Sequence, residues 1–279
     1  MAIHQDKISF LTTVSNFKLY KKTSIFYPPN ADRYVIDGRE GMYGIQSIIY
    51  MMDVLKDKDI DWLIMIDEDG ILIDYKNILD LIVYMDEHEY MVCGMQDGGV
   101  NPIRHHSPIA INTYFSIIDF KTLKQIWNAD EVLNNQYIHK GEFKISKDFI
   151  KYEYEAESLF EGYYCFYFWL LRNGYKILYL NAENPIEGDI YSNVLFNHLD
   201  KPILYHTWYA RVYGKTKMHT KRINHVLTIR KKINNNKSKY IEPTLYKDAS
   251  VKRNVVKADP IKTIKKKIKN LVKTLFFNE

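Results

Sequence analysis

The chain has 279 residues, of which 46% are hydrophobic and 14% aromatic, enough apolar material for one large domain or a domain with an appendage. Its net charge of +5 conceals a split: residues 1–210 carry 19 basic and 30 acidic side chains, residues 211–279 carry 20 basic and 4 acidic. Two cysteines without metal or disulfide spacing, no run of about 18 apolar residues and no apolar leader after Met1 argue against a disulfide scaffold, a spanning helix and a secreted protein, and point to a reducing compartment.

In chain order, residues 8–14 read as a first strand, and residues 34–36, followed by Asp37-Gly38, as a second. Residues 43–56 read as a helix, because Ile45, Ile48, Ile49, Met52 and Leu55 share one face. Residues 62–66 are an apolar run that ends in Asp67-Glu68-Asp69-Gly70. Residues 75–87 form a second helix with Ile78, Leu79, Ile82 and Met85 inward, and residues 90–94 another strand. Strand and helix thus alternate over the first hundred residues, which predicts a mostly parallel sheet with helices on both faces.

The acidic strand end carries the most chemistry. Open α/β sheets place their ligand crevice at the carboxyl ends of strands. If the backbone stays extended, Asp67 and Asp69 face one way and Glu68 the other. Two such carboxylates beside a glycine suit a hard cation, Mn²⁺ or Mg²⁺, of the kind that bridges to phosphates. The competing reading is ordinary turn chemistry after a strand.

The middle of the chain is less regular. Residues 96–107 form a Gly-, Pro- and His-rich loop, in which Arg104, His105 and His106 either line a binding site or are solvated. Residues 109–120 are a strand candidate, residues 121–127 a short helix, and residues 130–155 have no clear pattern. Residues 161–173 read as a helix ended by Gly174, residues 175–180 as a strand, and residues 202–209 as a last apolar and aromatic strand or turn. Residues 211–241 then hold ten basic side chains and no acidic one, and residues 242–258 read as a linker.

Four features together resemble glycosyltransferases of the GT-A fold, in particular the bacterial family-2-like group: an early first strand, the Asp67-Glu68-Asp69 strand end, the helix followed by Gly174-Tyr175-Lys176-Ile177, and His206 within Tyr205-His206-Thr207-Trp208. The resemblance spans about residues 6–210. It implies a GT-A-like, Rossmann-type sheet, to which the charge split adds a C-terminal basic helical extension, and transfer of a hexosyl group from a nucleotide-diphosphate sugar in cell-surface polysaccharide synthesis. It also implies that Asp67 lies nearer the ribose, that Asp69 holds the metal directly and that His206 completes the metal shell. Thr12, Thr13 and Val14, with Asp37 and Arg39 after the second strand and Glu68 beside the aspartates, would contact the nucleotide sugar.

One departure leaves the stereochemistry open. Inverting members place an acidic pair about a dozen residues before the glycine of the Gly-Tyr-Lys segment, and that count lands here on Gly162-Tyr163. Glu161, and Glu157 a turn earlier, are the candidates for the general base, with helix capping the alternative for Glu161.

Residues 259–279 read as a basic amphipathic helix opened by Asp259-Pro260, with an apolar stripe from Ile261 to Phe276 flanked by six lysines. Such a helix suits an anionic membrane surface, so the expected location is the inner face of the cytoplasmic membrane, with a glycan or lipid-linked acceptor. The expected organisation is a catalytic domain over 1–210, a basic segment and linker over 211–258, and this helix over 259–279. The rival classes are a non-catalytic sugar-binding scaffold and a nucleic-acid-binding protein; the acidic body disfavours the latter. A nucleotidyltransferase is disfavoured because residues 12–16 lack glycine.

Overall fold

The computed structural model describes residues 3–233 and 239–250. Its elements in chain order begin with β1 (Ile8–Val14), α1 (Phe17–Thr23), β2 (Asp32–Asp37), α2 (Ile45–Leu55), β3 (Trp62–Ile66) and β4 (Gly70–Leu72). They continue through α3 (Tyr75–Glu87), β5 (Tyr90–Gly94), β6 (Phe115–Asp119), α4 (Phe120–Ile126), α5 (Ala129–Leu133) and α6 (Tyr164–Arg172). The last are β7 (Lys176–Tyr179), β8 (Ala182–Glu183), β9 (Asn193–Phe196), β10 (Pro202–His206), α7 (Lys217–Ile233) and β11 (Thr244–Tyr246).

Seven strands form the central sheet in the spatial order β11-β2-β1-β3-β6-β5-β7. Pairings β11–β2, β2–β1, β1–β3 and β5–β7 are parallel, whereas β6 runs antiparallel to both neighbours. The fold is therefore α/β with a mostly parallel sheet. A second sheet, β4-β10-β9-β8, is antiparallel and lies over the end of β3, because β4 follows β3 after only the Asp67–Gly70 turn.

Burial explains the local choices. β3 is a continuous apolar run and β1 is buried at every position but Thr13, as expected of strands covered on both sides. Helix α6, Tyr-Cys-Phe-Tyr-Phe-Trp-Leu-Leu-Arg, is buried from Tyr164 to Leu170, so it is a core helix and shows no polar stripe. Gly174 follows it at φ +80, the left-handed position that closes a helix and favours glycine.

Three expectations differ from the structure. The strand expected over 109–120 is confined to Phe115–Asp119, because Asn112 folds the preceding segment: its side chain accepts from Tyr114 N and its backbone N–H donates to Met95 O. Residues 70–72, not singled out as a strand, pair with β10. The segment after residue 210, set apart by its charge, is built into the same compact unit as far as Lys247. There α7 buries Ile223, Val226 and Leu227 in the core while its lysines remain in water, and β11 adds an edge strand to β2. The expected amphipathic helix over 259–279 lies outside the described residues.

Candidate metal and nucleotide-sugar site

Asp67, Glu68 and Asp69 form a hydrogen-bonded turn, Gly70 N–H to Asp67 O at 2.9 Å, immediately after β3. Their placement thus comes from a turn rather than from strand alternation. Gly70 is required by close approach: a Cβ there would collide with Ile66 Cγ2 and lie 3.2 Å from Asp67 O. The antiparallel pairing of β10 with β4 sets His206 opposite Gly70. This register brings residues 137 positions apart together, and one ligand atom from each of Asp67, Asp69 and His206 lies within 4.8 Å of the others.

The surroundings of His206 bear on what the cluster can hold. Its ring stacks on Tyr114 at 4.0 Å and lies tilted to Trp208 at 4.7 Å. Nε2 lies 3.2 Å from Asp69 Oδ1, and Thr207 Oγ1 donates to Asp69 Oδ2 at 3.3 Å. Nδ1 is buried and has no hydrogen-bond partner among the described residues. Nε2, the ring nitrogen that faces Asp69, together with the two hard carboxylate donors makes a donor set that fits a divalent cation. Asp67 supports the same conclusion. Burial, then the charges of Glu68 and Asp69, push its carboxyl well above the usual range, and Arg211 opposes the shift. A bound cation would relieve that repulsion.

Glu68 has a different environment. Its Oε1 accepts from Ser15 N and Asn16 N at 3.1 Å each, and its carbonyl accepts from Thr23 Oγ1 at 2.9 Å. It therefore ties the acidic turn to the start of α1. Burial first, then Asp69, push its carboxyl up to about 7, against the pull of the two N–H donors.

A cavity of about 540 Å³ opens over this turn. On the β1 side it is lined by Leu11, Thr13 and Ser15, three alternate residues of one strand face and its end. Thr12 and Val14 are buried away from it, Thr12 against the Tyr27 hydroxyl at 3.5 Å. Asp37 is also outside the lining; it is clamped by Arg39, whose Nε and NH2 donate to its two oxygens at 2.9 and 2.6 Å. That clamp holds the Asp37 carboxyl below its ordinary range.

The far wall comprises Arg104, Asn112, Glu161, Tyr163 and Trp208, with Tyr43, Tyr209 and Arg211 at other points of the lining. Glu161 is about one-third exposed and accepts from Arg104 NH2 at 3.0 Å. Glu157 is exposed and outside the lining. His105 and His106 also point elsewhere: His105 Nδ1 meets Glu153 O at 3.1 Å, and His106 stacks on Phe160 at 3.9 Å. Trp208 and Tyr209 adopt left-handed φ values of 57 and 65, unfavourable for bulky side chains. The conformation is held by Trp208 Nε1 donating to Asn193 Oδ1 at 2.7 Å and by Arg222 NH2 donating to Trp208 O at 3.0 Å.

Sequence reading missed Asp97, Asn112, Tyr43 and Arg211. A signal existed only for Asp97, which follows an apolar strand and precedes two glycines, the same pattern as Asp67–Gly70.

No family model matches the chain, and no curated protein does. The likenesses are among solved structures. A mannosyltransferase from Pyrobaculum calidifontis, in complex with GDP-Man and Mn²⁺, is 6% identical with a TM-score of 0.29, over 46% of this chain and 49% of that one. The glycosyltransferase GlyE of Streptococcus pneumoniae TIGR4 is 10% identical with a TM-score of 0.38, over 63% of this chain and 45% of that one. A mutant of Drosophila β1,4-galactosyltransferase 7, in complex with manganese, UDP-Gal and xylobiose, is 12% identical with a TM-score of 0.39, over 75% and 73%. The chain spans about half the length of the first two. The activity proposed below rests on the site's own residues.

Proposed function

We propose that the protein is a divalent-cation-dependent glycosyltransferase of GT-A type, moving a hexosyl group from a nucleotide-diphosphate sugar to a glycan or lipid-linked acceptor. The observation that carries this reading is the Asp67–Asp69–His206 cluster in the lining of a cavity large enough for a nucleotide sugar. Bound there, Mn²⁺ or Mg²⁺ would act as a Lewis acid toward the diphosphate.

The remaining chemistry belongs to side chains. Thr13 and Ser15, on the β1 face, offer hydroxyls to the nucleoside, with Thr12, Val14, Asp37 and Arg39 shaping the strand ends behind them. Arg211, close enough to lower the Asp67 carboxyl, adds positive charge where the diphosphate gains negative charge. The acceptor oxygen bonds to the anomeric carbon, the bond from that carbon to the phosphate oxygen breaks, and its electron pair leaves with the nucleoside diphosphate. Glu161, on the cavity wall, takes the acceptor's proton; Glu157 is the outlying alternative. Trp208 and Tyr209 offer aromatic surface to the apolar face of a sugar ring.

The test is a thermal-shift panel of UDP, GDP and their sugars with and without MnCl₂. A cation-dependent rise with one nucleotide, absent in Asp69→Ala, is the expected result. No such rise with any nucleotide removes the assignment.

The basic sequence of 259–279 supports a second part of the proposal, attachment to an anionic membrane surface on the cytoplasmic side, where a lipid-linked precursor of a surface polysaccharide would be extended. No helix among the described residues is long and apolar enough to cross a membrane. Cosedimentation with phosphatidylglycerol vesicles, lost at high salt and lost on deleting 259–279, is expected; equal binding to neutral vesicles refutes it.

A further inference from the structure

Asp97 is a fully buried carboxylate that the chemistry above does not use. It follows β5 and accepts hydrogen bonds from three side chains. Arg104 Nε donates to its Oδ1 at 3.0 Å, and Arg104 NH2 reaches both oxygens at 2.8 and 2.7 Å. Asn112 Nδ2 and the Tyr164 hydroxyl supply the others. A buried carboxyl group with this many partners is fixed in place.

What Asp97 fixes is Arg104. The same NH2 that binds Asp97 also donates to Glu161 Oε1, so one planar guanidinium bridges a buried carboxylate and one on the cavity wall. The rings of Trp208 and Phe160 lie 5.8 and 5.9 Å from the guanidinium carbon and limit its movement. Glu161 sits just before α6, where its carbonyl accepts from Tyr164 N at 3.1 Å; its carboxylate has no hydrogen-bond partner other than Arg104 among the described residues, so Arg104 alone orients it.

We infer that Asp97 and Arg104 form a positioning pair: Asp97 sets the guanidinium, and the guanidinium holds one oxygen of Glu161 so that the other faces the acceptor hydroxyl. This rests on the glycosyl-transfer reading. It makes Arg104 a fork for which lysine is a poor substitute, because an ammonium can face Asp97 but cannot present the same plane to both carboxylates.

The test is a double-mutant cycle on the full chain with Mn²⁺ and the nucleotide sugar selected by thermal shift, reading kcat and donor KM. Arg104→Lys keeps a charge opposite Asp97 and preserves the fold; Asp97→Asn is the companion variant. Misplacement of a catalytic group costs on the order of tenfold to a hundredfold, so Arg104→Lys should lower kcat by at least about tenfold with donor KM within about twofold. In a Glu161→Gln background the same change should cost almost nothing, because there is no base left to position. An unchanged kcat in Arg104→Lys, or an equal loss in both backgrounds, overturns the pair's role while leaving the transferase reading intact. A wild-type protein that turns over no nucleotide sugar overturns both.

Discussion

Asp67→Asn should make the cation-free protein more stable, not less. The side chain of Asp67 has no hydrogen-bonded partner among the described residues, and burial with two acidic neighbours disfavours its charge. Two unit charges within 4.8 Å of each other repel by at least about 3 kcal/mol at an effective dielectric constant of ~20. Asp67 is partly open to solvent, which screens the effect, so the gain from an isosteric neutral amide is about 1–3 kcal/mol. For a domain of this size that corresponds to a rise of about 3–9 °C in Tm. Manganese should invert the ranking: at a hundredfold excess over Kd it stabilises the wild type by about 2.7 kcal/mol, and the variant by much less. The assay is differential scanning fluorimetry in EDTA and across a MnCl₂ titration. A variant that melts below the wild type in EDTA, or that keeps the full manganese response, would refute the electrostatic account of the cluster.

The pH dependence follows from Glu68. Its folded carboxyl titrates at about 7 against an ordinary 4.5, so from pH 4.5 to about 7 the unfolded chain has lost a proton that the folded chain retains. Its contribution therefore falls as pH rises through that window, by at most about 1.4 kcal/mol per pH unit, and is flat above it. Urea denaturation in EDTA should show this fall in the wild type and a smaller one in Glu68→Gln, where the raised Asp67 carboxyl still titrates. Gly70→Ala forces a Cβ into Ile66 and the Asp67 carbonyl, so it should cost about 1–3 kcal/mol and blunt the manganese-induced Tm rise by moving the acidic turn. Asp97→Ala strands Arg104 in a largely buried site and should cost about 3–5 kcal/mol by denaturant melt; a loss below about 1 kcal/mol would mean that water reaches the guanidinium.

Much of the fold was legible because hydrophobic period is a local property. The alternation of strand and helix over the first hundred residues, the helix over 75–87, and the glycine that ends α6 are written in apolar spacing and in one left-handed position. The acidic turn after β3 was legible for the same reason: apolar run, carboxylates and glycine are contiguous. The antiparallel insertion of β6, the second sheet and the absorption of α7 and β11 were not. Strand direction depends on which edges meet, and a basic helix enters a core when a narrow apolar stripe suffices, whatever its net charge.

The sequence alone thus determined the class of sheet, the elements that carry Asp67, Asp69 and His206, and the hard-donor character of that set. Only the tertiary structure decided that Thr13 rather than Thr12 faces the cavity, that Glu68 ties down α1 and that Asp97 reaches Glu161 through Arg104. These depend on contacts between residues distant in the chain, set by the pairing of β1 with β3 and by the packing of α6. A local pattern cannot encode such contacts, because each exists only once both partners have been brought to the same place.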